Sequence, residues 1–110
     1  MKIMTIEELP GRVPPKHYDL LGRTIADESN GVKQFKTAFT RMEKTGRCDP
    51  HIHENAEQLF IVLKGAMMFQ FDKKEVLIKE GQAVLVYRGE THSNYNAAAD
   101  GETEYLTVTG

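Results

Sequence analysis

Two histidines stand two residues apart, at His51 and His53, and a third, His92, follows the glycine-bounded stretch from Gly65 to Gly81. In an extended strand, residues i and i+2 project from the same face. The two imidazoles of a His-x-His unit can therefore reach one metal ion from a single strand, and a third imidazole from a distant part of the chain would complete a three-nitrogen set. That chemistry needs a rigid scaffold which turns three side chains toward one point.

The segments around these histidines read as short strands separated by turn residues. The first is Phe35 to Met42, with Phe35, Thr37, Phe39 and Arg41 on one face and Lys36, Ala38, Thr40 and Met42 on the other. Gln58 to Leu63 is almost wholly apolar and branched, as in a strand covered on both faces. Ala66 to Phe71 and Glu75 to Ile78 flank Asp72-Lys73-Lys74, which reads as a hairpin loop. Ala83 to Tyr87, His92 to Asn96 and Thr103 to Thr109 complete the set, with Gly81, Gly89 and Gly101 at the breaks. The fold class is all-β.

Residues 1–30 read differently, because Pro10, Pro14 and Pro15 interrupt any regular element. We expect them to form an N-terminal arm wrapping the outside of a barrel made by residues 31–110, the two being parts of one domain. His17, within this arm, reads as a solvated residue with no role.

Composition bounds the function. A chain of 110 residues with 40% hydrophobic side chains builds one core. Fourteen Lys and Arg against sixteen Asp and Glu give a formal net charge of -2, and both signs are scattered, so no basic stripe awaits nucleic acid. The single Cys48 cannot form an internal disulfide, and no apolar run reaches the length of a membrane span. Met1 to Glu8 breaks off before a signal-peptide core, so the expected location is cytoplasmic.

The residues from about Phe35 to Val108 resemble the cupins, a family of small β-barrels recognised by two motifs. Gly46, His51, His53, Gln58 and Gly65 are similar to the first, which runs glycine, His-x-His, an acidic residue and glycine. Gly81, Gly89, His92 and Asn96 fall at the spacings of the second, with Tyr87 where that motif carries proline. The resemblance implies a double-stranded β-helix, or jelly-roll, barrel and one divalent transition metal ion (Fe, Mn, Ni, Zn or Cu) held by His51, His53, His92 and an oxygen donor. Gln58 keeps the spacing to Gly65. Glu57 shares parity with the histidines and brings the carboxylate, so it stands as the alternative. A bulge through Glu54-Asn55-Ala56 would turn Gln58 back to the histidine face. A neutral amide leaves the ion's charge uncompensated, which favours anionic ligands and loosens hard cations.

From their places on the strands, Phe39, Phe60, Val62, Phe69 and Val86 read as barrel lining; Arg41 shares a face with Phe35 and Phe39, so its guanidinium is expected to enter the cavity and hold a carboxylate, and Tyr95 to offer a hydrogen bond. The resemblance implies a metal-dependent enzyme of dioxygenase, isomerase or lyase type acting on a small oxygen-rich metabolite. The alternative is a non-catalytic cupin binding a sugar or carboxylate. Many cupins form homodimers, and the same is expected here. Fold alone does not choose among these chemistries.

Overall fold

The computed structural model describes residues 1–110. Nine strands follow one another: β1 (Gly11–Arg12), β2 (His17–Ala26), β3 (Lys36–Ile52), β4 (Gln58–Lys64), β5 (Ala66–Phe71), β6 (Lys74–Lys79), β7 (Ala83–Val86), β8 (Thr91–Asn96) and β9 (Thr103–Thr109). Two short 3-10 turns, Ile6–Glu8 and Glu28–Asn30, are the helical elements, and no helix is long and apolar enough to cross a membrane.

The long strand β3 organises the molecule. Its first part, Lys36 to Met42, pairs with β9, while Arg47 to Ile52 pairs with β8. Along the other edge β2 runs antiparallel to both parts. The sheet order is therefore β6-β5-β8-β3-β9-β4-β7, curled into a nearly closed jelly-roll barrel. Between its two parts β3 turns a corner at Glu43 to Gly46. Here Asn96 donates from Nδ2 to the Glu43 and Gly101 carbonyls at 2.8 and 3.1 Å. Gly46 belongs at this corner because a Cβ would lie 2.8 Å from the Asp19 carbonyl oxygen.

Inward-facing residues of both halves form the core, in which Met42, Val62, Met67 and Phe69 are fully buried. Each such side chain contributes about 1.5–3 kcal/mol through removal from water. The strands from Gln58 onward lie where the period-two pattern and the glycines put them. The β5–β6 hairpin turns on two residues, Asp72 and Lys73, at φ 48° and 60°, so Lys74 already belongs to the strand.

Residues 17–26 depart from the expected arm. They form a ten-residue strand in the sheet, and only the chain before them, with the two-residue β1, lies at the periphery. Prolines at 10, 14 and 15 stop short of this strand, whose inward residues Leu20 and Ala26 are buried.

The sheet's end strands, β6 and β7, are joined by the turn through Gly81. Gly81 donates its N–H to the Val62 carbonyl at 2.8 Å, and Val62 donates to the Gln82 carbonyl at 3.0 Å. Gly81 and Gly65 both have φ 82°, yet their surroundings differ. A Cβ at Gly65 would lie 2.5 Å from Thr103 Oγ1 and 2.9 Å from the Glu102 carbonyl, whereas at Gly81 it would meet nothing within 4 Å. Gly81→Ala should therefore cost only the left-handed backbone penalty, about 1–2 kcal/mol, and Gly65→Ala should cost distinctly more. Urea unfolding of the two variants gives the comparison.

Candidate metal centre

The three histidines reach one place by two routes. His51 and His92 are direct antiparallel partners across β3 and β8, so their side chains leave the sheet on the same face, with ring centroids 4.3 Å apart. His53 follows the last residue of β3, and its carbonyl accepts the Gly89 N–H at 2.9 Å, fastening it to the turn before β8. One ligand nitrogen from each of the three rings lies within 4.8 Å of the others.

Hydrogen bonds fix which nitrogen is offered. His51 Nδ1 lies 3.0 Å from the Asp49 carbonyl oxygen, and His92 Nδ1 lies 3.2 Å from that of Glu90. A ring that donates Nδ1–H to a carbonyl leaves its Nε2 lone pair free, the arrangement that orients metal-ligating imidazoles. The Nε2 atoms of His53 and His92 are buried with no hydrogen-bond partner. Burial, the main cause, lowers the pKa of His53 and pushes that of His92 from 6.5 down to about 4, so these rings are held neutral.

Gln58 stands in the same cavity as His51 and His53. Its Nε2 donates to Thr109 Oγ1 at 3.1 Å, while its Oε1 is buried and unpaired. Strand pairing ends at Ile52 and resumes at Gln58, so the intervening irregular segment breaks the alternation that would otherwise have turned Gln58 away. Glu57 is exposed, lies outside the histidine cluster, and is held by reciprocal 3.0 Å backbone hydrogen bonds with Gly110. The buried side-chain nitrogens and oxygens that lack partners are four: His53 Nε2, Gln58 Oε1, His92 Nε2 and Asn94 Oδ1. Each such group costs about 1–3 kcal/mol unless something satisfies it. Three of them are donor atoms of the types that bind divalent transition metals, so the residues fit such an ion.

The cavity beside this cluster measures about 400 Å³. Phe60 lines it, whereas Val62, Phe69 and Val86 are buried core residues outside the lining. Phe39, Arg41 and Tyr95, expected to face the bore, lie on the outer face. Arg41 donates from Nε and Nη2 to Glu104 Oε2 at 2.9 and 2.8 Å and from Nη2 to Glu7 at 2.8 Å. Tyr95 donates to Glu75 at 3.2 Å. The inward face of β3 is the one carrying Ala38, Thr40 and Met42. Both faces of this sheet are apolar: Leu106 and Ile61 continue the outer row from Phe39, so hydrophobicity alone could not select the inner face.

Residues read as unimportant also belong here. His17 is half-buried at the cavity wall, its ring 5.9 Å from that of His51 and its Nδ1 2.7 Å from the Pro15 carbonyl oxygen. Asn94 and Tyr105 line the cavity as well. The signal for Asn94 was its parity with His92, two residues earlier on one strand. Cys48 is buried and its thiol is pushed up to about 12 by burial, so it stays protonated 3.2 Å from His51 Nδ1 and is not part of the cluster.

The model of the cupin domain matches residues 38–109. The chain belongs to the cupin family. Among solved structures, this cupin superposes on the polyketide cyclase RemF from Streptomyces resistomycificus with a TM-score of 0.88 at 22% identity, covering 99% of this chain and 78% of that one. It also superposes on a predicted oxalate decarboxylase from Thermotoga maritima with a TM-score of 0.86 at 18% identity, covering 98% and 97%. At such identities the likeness is one of fold. The uncharacterized protein YdbB of Bacillus subtilis (strain 168) is 37% identical over 49 residues, 44% of this cupin and 43% of YdbB, so the aligned stretch spans less than half of that relative.

Because burial lowers the pKa of His17, His53 and His92, the unfolded chain binds more protons than the folded one between the ordinary value of 6.5 and about 4. The stability these groups contribute is fully present above pH 6.5 and is lost as pH falls through that window. The thermal midpoint of the metal-free protein should decline from pH 7 to pH 4, with a shallower decline in His92→Asn. Calorimetric scans across that range read both.

Proposed function

We propose that this cupin is a metal-dependent enzyme of dioxygenase, isomerase or lyase type, acting on a small oxygen-rich metabolite, with His51, His53, His92 and Gln58 as ligands of one divalent transition ion. The observation that carries this reading is that three histidines converge to within 4.8 Å while His53 Nε2, His92 Nε2 and Gln58 Oε1 are buried without a partner, Gln58 sharing a cavity with His51 and His53. The enzyme names of the cyclase and decarboxylase neighbours support an enzyme over a purely structural barrel.

An ion held there would supply Lewis-acid polarisation of a substrate oxygen, or electron transfer if redox-active. The chain's own residues do the rest. The Asp49 and Glu90 carbonyls hold the rings of His51 and His92 in one tautomer and one orientation. Thr109 keeps the Gln58 amide turned so that its oxygen remains free. Phe60 and Leu20 form apolar wall that limits water. Tyr105, whose pKa burial raises, remains a phenol able to donate a hydrogen bond and unable to act as a base at neutral pH.

A binding protein without turnover is the second reading, favoured by one observation: no Asp or Glu lines the cavity to carry a proton. The cytoplasmic location and the homodimer belong to the same proposal. Support for the dimer comes from the outer sheet face, where Leu21, Leu63 and Leu85 are exposed beside Leu59, Leu106 and Phe39.

His51→Ala and His92→Ala should each retain the far-ultraviolet circular dichroism of the native fold while metal content per chain, by elemental analysis, and turnover in oxygen-uptake and substrate screens both collapse. Undiminished metal content in both variants would refute the site. Gln58→Glu, which adds one negative charge to the ligand set, should tighten Mn²⁺ binding by about tenfold in competition titrations.

A further inference from the structure

We infer that this cavity holds an anion subsite, with Arg12 and Lys16 at its mouth and Asn94 deeper along its wall, that selects a small carboxylate. The inference deepens the proposed metal-centre reading and rests on it for the placement of the ligand's other end. Selection by charge is measurable without the ion.

The electrostatic lining is one-sided. Arg12 and Lys16 both line the cavity, no Asp or Glu does, and neither cation takes part in an ion pair, although the chain as a whole carries a net charge of -2. The ligand set of neutral imidazoles and an amide adds no negative charge either. A site of this kind leaves positive potential facing the interior, and low-dielectric walls strengthen the attraction it exerts on an anion.

The cations sit on a stiff support. Between β1 and β2 the chain passes through Pro14 and Pro15, and the His17 N–H donates to the Pro14 carbonyl at 3.2 Å. Lys16 adopts φ 63°, and its carbonyl accepts the Asp49 N–H at 2.8 Å, tying the turn to β3 just before the histidines. The backbone bearing both charges is therefore fixed before any ligand arrives, which reduces the ordering cost of binding.

Asn94 supplies the independent observation. It is 3% exposed, lines the cavity, and its Oδ1 has no partner. In the sheet it pairs with Cys48, which pairs in turn with His17, so one row of inward-facing residues leads from Asn94 to the mouth. Along β8 it stands two residues from His92 on the same face. A molecule reaching from the histidine cluster to Arg12 and Lys16 passes this amide, whose Nδ2 donates to a carboxylate oxygen and whose unpaired Oδ1 accepts from a hydroxyl on the same ligand.

A carboxylate suits these groups better than a phosphate. The planar guanidinium of Arg12 matches two oxygens of either anion, so the choice falls to the backbone around it. Phosphate sites draw on backbone N–H groups at helix N-termini, and this cavity is walled by strands and the β1–β2 turn.

The test is calorimetric titration of malonate into the full chain, metal-free and Co(II)-loaded, at low salt, with malonamide as the uncharged isostere and inorganic phosphate as the competing anion. Malonate should bind both forms, and malonamide about tenfold more weakly or worse. The double variant Arg12→Gln/Lys16→Gln should lose about tenfold in malonate affinity with no loss of Co(II) affinity. Asn94→Ala should weaken malonate without lowering the thermal midpoint, as expected for an amide with no partner in the fold. The subsite is overturned if malonate binds neither form, if the double variant binds it as the native chain does, or if malonamide or phosphate binds as tightly. If Co(II) fails to bind while malonate still depends on Arg12 and Lys16, the metal reading falls and the subsite stands; Co(II) binding with malonate indifferent to both cations gives the reverse.

Discussion

The antiparallel register of β3 and β8, which sets His51 directly opposite His92, places two imidazoles from distant parts of the chain side by side on the inner face of the barrel, His92 buried and His51 at the cavity. A shift by one residue would turn either ring to the outer face. What holds the register is spread over the barrel: the corner of β3, Asn96 bonded across it, and the buried row of Met42, Met67 and Phe69 on the same inner face. Burial also strips the Nε2 atoms of His92 and of nearby His53 of water, and the fold supplies no substitute partner for either. Packing energy is thus spent to keep donor atoms ready.

That expenditure is local. Polar groups elsewhere in the interior are satisfied: Ser93 donates to Gln70 at 2.9 Å, and Thr103 meets both Ala66 and Asn96. The unsatisfied atoms belong to the histidine cluster and the cavity beside it, His92 in the cluster and His53, Gln58 and Asn94 lining the cavity, the distribution expected where a fold keeps its polar valences for a ligand. The second constraint is charge. With neutral donors and no carboxylate, the cavity does little to offset a bound cation, and the fixed turn carrying Arg12 and Lys16 adds to the excess.

Much of this was legible in the chain. Strands β4 to β9 declare themselves through alternation and glycine breaks, and two histidine spacings agree with one barrel. Gln58 follows from its spacing to Gly65, with Glu57 as the alternative by parity; the irregular segment between Ile52 and Gln58 lies where the odd residue calls for a bulge, though no periodicity encodes its shape. Arg41 and Phe39 misled because the outer face of their sheet is as apolar as the inner one. His17 carried no pattern of its own, and Asn94 only its parity with His92; pairing across β2, β3 and β8 gives them their place.

The two terminal strands of the sheet deserve a last consideration for what they prevent. β7 is only four residues long, and β6 presents Lys74, Glu75 and Lys79 along its length. Short or charged margins discourage a foreign strand from adding to the ladder. The Gly81 turn also ties the two margins to β4. Strand addition is disfavoured at both of these margins, which leaves the apolar surface of Leu21, Leu63 and Leu85 as the face through which the proposed dimer would form a closed, countable assembly.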